Sequence, residues 1–287
     1  MNQEKIYEGK KPGWCPGCGD YAVLNALKKA LAKKGIPPSK IVIVSGIGCS
    51  GKLGDYVATN SVHTLHGRVL PVATAIKLSN PELLVIGASG DGDTYAIGIS
   101  HFIHACRRNP EIIHIVMNNQ VYGLTKGQFS PTSLKGFVST STPYGVQEEP
   151  VDGVLLALES GATFVARGFS GDVQGLTQIF EKAIEHKGFS FIDILSPCVT
   201  FNKLNTYDWF RERIFKIEEP FGIRYLPRAI RFVREALEEG KFLTGVIYET
   251  KKLTLSDFLL KDKEIPLVKK KLEIEKEEIL ELFSLFK

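Results

Sequence analysis

Leu83-Leu84-Val85-Ile86-Gly87-Ala88-Ser89-Gly90-Asp91-Gly92 and Ile112-Ile113-His114-Ile115-Val116-Met117-Asn118-Asn119 decide the fold of this 287-residue chain. Each is an apolar run closed by a short polar turn. Residues 83–86 and 112–117 read as buried strands, and residues 95–106 between them have helical periodicity and the length of a crossover. That is a β-α-β unit, whose strands are parallel neighbours joined by a right-handed connection. Asp91 and Asn119 then leave the sheet at the same, C-terminal edge, where open α/β sheets bind ligands.

Outward from this unit the alternation continues. A helix over 20–34, with Asp20 as its N-cap, is stopped by Gly35 and Pro37-Pro38. A strand at 41–44 leads into the glycine-rich loop 46–51. Residues 70–78 read as helix, broken before Pro81. Residues 120–150 are rich in Gly, Ser, Thr and Pro. So long a loop implies a ligand-covering segment or a partner surface. Helix 152–160, strand 163–166, helix 173–186 and strand 189–195 follow. The pattern predicts an α/β fold, a doubly wound, mainly parallel sheet, with residues 1–210 as its domain and 211–287 as a C-terminal extension packed on that domain or on a partner. Within the extension, 230–239 reads as helix, 244–248 as strand and 269–285 as a Lys/Glu-rich amphipathic helix. Residues 1–13 read as a basic, polar arm.

Composition excludes several classes. Apolar content is 44% and charged content 24%, ordinary for a globular protein. A net charge of +4 gives no case for nucleic acid or a membrane surface. No apolar stretch has the length of a membrane span, and residues 1–14 lack the apolar core of a secretory signal. The expected location is cytoplasmic. Five cysteines in such a chain point to metal binding or catalysis rather than a disulfide scaffold.

Asp91 and Asn119 offer oxygen donors, which suit a hard cation that also takes phosphate oxygens. Two loop cysteines leave strand C-terminal ends on the same edge, and a close pair precedes the first helix. Cys15 and Cys18 precede the first helix, Cys49 lies in the loop after the first strand, and Cys198 follows the strand ending at Leu195. Four such thiolates can hold a [4Fe–4S] cluster. Zinc is a rival, although its structural sites favour two close pairs. A dithiol is another, since Trp14-Cys15-Pro16-Gly17-Cys18 echoes a redox motif that normally follows a strand. Cys106, among Phe102, Ile103 and Ala105, reads as an inert core thiol. Gly46, Gly48 and Gly51 fit the dinucleotide fingerprint, but residues 62–74 lack the acidic residue it needs.

The spacing from Gly90-Asp91-Gly92 to Asn118-Asn119 resembles the thiamine diphosphate motif. That resemblance implies Mg²⁺ on Asp91, on the Asn119 side chain and on the Val121 carbonyl. Trp14-Cys15-Pro16-Gly17-Cys18-Gly19-Asp20, Gly46-Ile47-Gly48-Cys49-Ser50-Gly51, His66-Gly67-Arg68, Ser130-Pro131-Thr132 and Ser196-Pro197-Cys198-Val199-Thr200 occur around it. In this order they resemble the β subunit of 2-oxoacid:ferredoxin oxidoreductases, over about residues 10–210. The resemblance implies a [4Fe–4S] cluster on Cys15, Cys18, Cys49 and Cys198. It implies thiamine diphosphate contacts at Ile47, Gly48, Cys49, Ser50, His66, Gly92, Asp93, Gly123 and Leu124.

The implied reaction is coenzyme A-dependent oxidative decarboxylation of a 2-oxoacid, or its reverse, with electrons passing through the cluster to ferredoxin. An α subunit is the expected partner, because the chain has no obvious pyrimidine-type domain of its own. Lys52 and His66 are the catalytic candidates. Lys52, beside the cofactor loop, suits the distal carboxylate of 2-oxoglutarate, and His66 the diphosphate. A pyruvate- or branched-chain-specific member of the family is an alternative. A non-oxidative thiamine-dependent decarboxylase subunit leaves four cysteines unexplained, and a pure electron-transfer subunit leaves the Mg²⁺ motif unexplained.

Overall fold

The computed structural model describes residues 3–217, 225–259, 266–270 and 276–285. Strands β1 (Ile41–Ser45), β2 (Asn60–His63), β3 (Leu84–Gly90), β4 (Ile112–Asn118), β5 (Phe164–Phe169), β6 (Ser190–Leu195), β7 (Ile214–Lys216) and β8 (Phe242–Glu249) form one sheet. Their order is β2-β1-β3-β4-β6-β5-β8-β7. The first six are mutually parallel, and β8 pairs antiparallel with β5. The helices are α1 (Asp20–Lys34), α2 (Leu53–Tyr56), α3 (Val69–Ser79), α4 (Ile99–Arg108), α5 (Gly153–Glu159), α6 (Val173–Glu185), α7 (Tyr207–Arg211), α8 (Leu226–Glu238), α9 (Leu255–Leu259) and α10 (Lys276–Ser284).

Side-chain alternation along the strands builds two cores. Ile41, Ile43, Ile86, Ala88, Ile113 and Ile115 face α1 and α6. Val42, Val44, Val85, Ile112 and Val116 face α3, α4, α5 and α8. Both faces are covered, so these strands are apolar throughout, as buried parallel strands are. The β3–β4 pair is parallel, with Gly90 opposite Met117. The next residues of both strands therefore leave at one edge. β6 joins the same edge, with Leu195 opposite Asn118.

The structure departs from the sequence reading in several places. The helix expected over 95–106 is split into a π turn, Asp93–Ile97, and α4. Gly98 sits at the junction, where a Cβ would lie 2.5 Å from the Asp93 carbonyl oxygen. Asp20 does not cap α1. Gly19 occupies the N-cap, and Asp20 is the first helical residue, with a buried side chain. The N-terminal arm is anchored, because Tyr7 is fully buried and its hydroxyl donates to the Ile36 carbonyl at 2.5 Å. β2 is an exposed polar edge strand with no apolar pattern to reveal it. Beyond residue 210, β7, α8 and β8 extend the sheet. Of the expected helix over 269–285, Leu267–Lys269 is a 3₁₀ turn, α10 is helical, and 271–275 lie outside the described residues. Among the described residues no helix is long and apolar enough to cross a membrane.

Candidate functional site

Asp91 leaves β3 into a buried pocket of hydroxyls. Its Oδ2 accepts from Ser130 Oγ at 2.5 Å and from Thr132 Oγ1 at 2.6 Å. Burial pushes the Asp91 carboxyl up to about 6, against the pull of these two bonds. Thr132 Oγ1 also lies 3.0 Å from Asn118 Oδ1, and its single proton serves one acceptor at a time. The long loop of 120–150 thus returns to brace the strand end.

Asn119, one residue beyond β4, turns the chain. Its Oδ1 accepts from the Val121 amide at 3.1 Å, an Asx turn, and its carbonyl accepts from Asn202 Nδ2 at 3.0 Å. Gln120 completes the turn at φ 57°. Tyr122 then reaches back to the Gly92 carbonyl at 3.1 Å. A Cβ on Gly92 would lie 2.2 Å from that ring, so this close approach requires glycine.

Asp93 organises two further loops. Its Oδ1 accepts from the Gly67 amide at 2.8 Å and from the Ile47 amide at 3.4 Å. His66 Nδ1 lies 2.9 Å from the same oxygen, off the line of a hydrogen bond, so the two attract through charge when the ring is protonated. Burial outweighs these partners and raises the Asp93 pKa. Gly46 permits the approach, since a Cβ there would stand 2.1 Å from Asp93 Oδ2, and Gly48 turns the loop at φ 109°. The glycines of 46–51 thus serve the packing and turn of this loop.

Ile47, Gly48, Cys49, Ser50, His66, Asp91, Gly92, Asp93, Asn119, Val121, Gly123 and Leu124 line one cavity of about 100 Å³. A second cavity of about 640 Å³ shares His66, Tyr122 and Thr125 with it. Lys52 does not line the first cavity. It is half-buried at the end of the 3₁₀ turn Ser50–Lys52, and its charge acts on Cys49.

Of the cysteines, Cys49 lines this cavity, and Cys198 approaches Gly123 on its wall. Cys15-Pro16-Gly17-Cys18 is a tight turn, with the Cys18 amide donating to the Cys15 carbonyl at 3.0 Å and Gly17 at φ 81°. Trp14 is buried, and its Nε1 donates to the Cys49 carbonyl at 2.8 Å, joining that turn to the 46–51 loop. Cys198 Sγ lies 3.4 Å from the position of a Cβ on Gly123. Burial, the Asp20 carboxylate and the neighbouring thiols Cys198 and Cys49 push the Cys18 thiol far up. Cys49 is pushed up to about 11 by burial, Asp20, Cys198 and Cys15, against the pull of Lys52. Cys198 and Cys49 thus act on Cys18, and Cys198 and Cys15 on Cys49, while Cys106 is fully buried in the opposite core. Among the described residues, no three His, Cys, Asp or Glu are already gathered as ligands of a metal ion.

Comparison with known proteins gives two family matches. Residues 46–194 match the C-terminal TPP binding domain of thiamine pyrophosphate enzymes. Residues 198–262 match the C-terminal region of the pyruvate ferredoxin oxidoreductase β chain. The 2-oxoacid:ferredoxin oxidoreductase β subunit of a Sulfolobus species is 48% identical over 71% of this chain and 68% of its own. The chain belongs to the β-subunit family of 2-oxoacid:ferredoxin oxidoreductases. The 2-oxoglutarate synthase subunit KorB of Archaeoglobus fulgidus is a further relative, 43% identical over 68% of this chain and 73% of its own. A solved 2-oxoglutarate:ferredoxin oxidoreductase from Magnetococcus marinus, with 2-oxoglutarate, coenzyme A and succinyl-CoA bound, superposes with a TM-score of 0.90 at 37% identity, covering 98% of this chain and 96% of that one. Like other members, the chain is an oxidoreductase subunit with a thiamine-diphosphate-binding domain.

Several residues of this β subunit's site escape a sequence reading. Ser130 and Thr132 stand in a local motif, yet their grip on Asp91 comes from a loop closing over almost forty residues. Behind them Asn118 Nδ2 donates to Asp193 Oδ1 at 3.2 Å, and Arg167 Nε donates to Asp193 Oδ2 at 3.3 Å. Arg167 Nη2 also pairs with Asp152. This buried network holds the ends of β4, β5 and β6 together. Asp20, beside Cys18, accepts from Ser196 Oγ at 2.7 Å, and burial pushes its carboxyl up to about 6.

Proposed function

We propose that this chain, with an α subunit, catalyses coenzyme A-dependent oxidative decarboxylation of a 2-oxoacid in the cytoplasm, with 2-oxoglutarate favoured and ferredoxin as the electron acceptor. The observation that carries the reading is the meeting of Asp91, Asn119 and Val121 with the 46–51 loop on one cavity, lined by Cys49 and approached at Gly123 by Cys198. The oxygen donors fit Mg²⁺, which prefers such ligands and shares them with diphosphate oxygens. Asp91, the Asn119 side chain and the Val121 carbonyl would hold it. Ile47, Gly48, Cys49, Ser50, His66, Gly92, Asp93, Gly123 and Leu124 would surround the thiamine diphosphate.

Cys15, Cys18, Cys49 and Cys198 would hold a [4Fe–4S] cluster. Cys198 and Cys49 help to raise the Cys18 pKa, and Cys198 and Cys15 that of Cys49, a cost that ligation as thiolates would relieve. When bound, thiamine diphosphate supplies an electron sink for decarboxylation and the cluster a one-electron exit. The chain itself orients and encloses. Ser130 and Thr132 aim the Asp91 carboxylate, Asp93 fixes the loops carrying Ile47 and His66, and Tyr122 closes over Gly92. In this reading His66 donates to a diphosphate oxygen, and Lys52 pairs with a distal substrate carboxylate in the site completed by the α partner. Residues 1–210 carry the cofactors, and the remainder packs against that domain and the partner.

The test is an anaerobic assay of the α–β complex with 2-oxoglutarate, pyruvate and a branched-chain 2-oxoacid, reading ferredoxin reduction and acyl-CoA formation. Coenzyme A-dependent reduction, highest with 2-oxoglutarate, supports the reading. Decarboxylation to an aldehyde without ferredoxin reduction would favour the non-oxidative alternative and sink it.

A further inference from the structure

Asp20 is a buried carboxylate with no compensating cation among the described residues. It is 2% exposed, accepts from Ser196 Oγ at 2.7 Å, and feels no basic side chain among the groups that shift it. A buried, unpaired carboxylate is unfavourable for a fold unless it serves something else. It does not cap α1, since Gly19 holds that position. The segments around it are pressed together. The Gly19 amide donates to the Pro197 carbonyl at 3.3 Å, and a Cβ on Gly19 would stand 2.4 Å from Ser196 Oγ. Asp20 therefore ties the Cys15–Cys18 turn to the segment that carries Cys198. Its charge is also the largest influence after burial on both the Cys18 and the Cys49 thiols.

We propose that Asp20 is a positioning residue for the iron–sulfur cluster, which fixes the Cys18 and Cys198 segments through Ser196 and sets a carboxylate charge beside the cluster that keeps its reduction potential low. The inference rests on the cluster reading above. Potentials of such clusters follow net charge and the hydrogen bonds around their sulfurs. An anion beside two of the four ligands opposes the added electron, because charges in a buried site are poorly screened. A low potential suits a cluster that must pass electrons onward rather than store them.

The test uses the anaerobically purified α–β complex, with every variant measured at the same pH. Iron and sulfide content and an EPR-monitored redox titration are the readouts. Asp20→Asn keeps the shape and the Ser196 contact but removes the charge. Its midpoint is expected to rise by about tenfold in the one-electron equilibrium, or ~59 mV. Ser196→Ala keeps the charge and removes the tie. It is expected to lose iron faster on exposure to air, with a smaller midpoint change than Asp20→Asn. Wild-type complex without iron would defeat the cluster reading, and this inference with it. Wild-type cluster with an unchanged midpoint in Asp20→Asn overturns this inference alone. An iron-free Asp20→Asn chain that melts below the iron-free wild type also overturns it, since the carboxylate would then be a fold element.

Discussion

Thr132→Val tests whether the returning loop aims Asp91 at a metal. Thr132 is 1% exposed, so valine fills the space with a methyl group and opens no cavity. The loss is one donor to Asp91, whose Oδ2 then keeps only Ser130 at 2.5 Å among its two hydroxyl partners. A hydrogen bond to a charged group contributes roughly 1.5–3 kcal/mol. At ~1.4 kcal/mol per decade this is about tenfold to a hundredfold in affinity. Loss of an outer partner of a metal ligand costs about the same factor. Calorimetric titration of thiamine diphosphate into the α–β complex at fixed Mg²⁺ is the assay. The dissociation constant is expected to rise by that factor, and excess Mg²⁺ to recover part of it. Removing the hydroxyl also leaves a buried carboxylate less well solvated, so the cofactor-free chain is expected to melt slightly lower. A variant that melts as wild type and binds the cofactor with unchanged affinity and unchanged Mg²⁺ dependence refutes the clamp.

Three further outcomes are expected. Cys49→Ser removes the iron of the anaerobic complex and its visible absorption, whereas Cys106→Ser, in the opposite core, leaves both intact; equal iron loss in the two would contradict the assignment. Lys52→Ile lowers kcat/KM for 2-oxoglutarate by about tenfold to a hundredfold, as loss of a charged hydrogen bond does, and pyruvate far less; equal falls would move Lys52 to the cofactor or the fold. Burial pushes the His114 imidazole down to about 3, with Ser89 and Thr94 on its Nε2. The unfolded chain then binds one more proton between about 6.5 and 3, so His114 costs stability as the pH falls below about 6.5, at up to ~1.4 kcal/mol per unit. Urea midpoints of wild type and His114→Gln should therefore diverge in acid and run parallel above neutrality; parallel curves in acid would disprove the buried neutral ring.

The parallel core is legible in the sequence because burial on both faces leaves little choice of residue. β1, β3, β4 and β6 are apolar runs ending in Gly, Asn or Ser turns, and the parallel pairing of β3 with β4 follows from the crossover between them. The edge is harder to read. β2 is polar and exposed, so nothing in Asn60-Ser61-Val62-His63 marks a strand. The apolar pattern of β5 stops at 166 because Arg167 looks like a residue for water. The strand runs on to Phe169, since Arg167 is buried between Asp152 and Asp193, a compensation made across three elements. The same limit applies to the site. Asp91, Asn119 and the cysteines stand in local motifs, whereas the roles of Asp20, Thr132 and Tyr122 depend on contacts with distant segments. Trp14 shares the cysteine motif, and only its bond to the Cys49 carbonyl, made across 35 positions, gives it a physical reason.

The four thiols come from both ends of the parallel array, Cys15 and Cys18 before the first strand and Cys198 after β6. A ribosome delivers three of them early and the fourth only after some two-thirds of the chain has emerged. Cys198 reaches its neighbours only once β6 has docked between β4 and β5. The full thiol set therefore comes together only on a nearly finished sheet. On the proposed cluster reading, loading of iron and sulfide would report that synthesis and docking of β6 are complete, and a nascent chain halted before Ser190 would present an open thiol trio instead of a closed site.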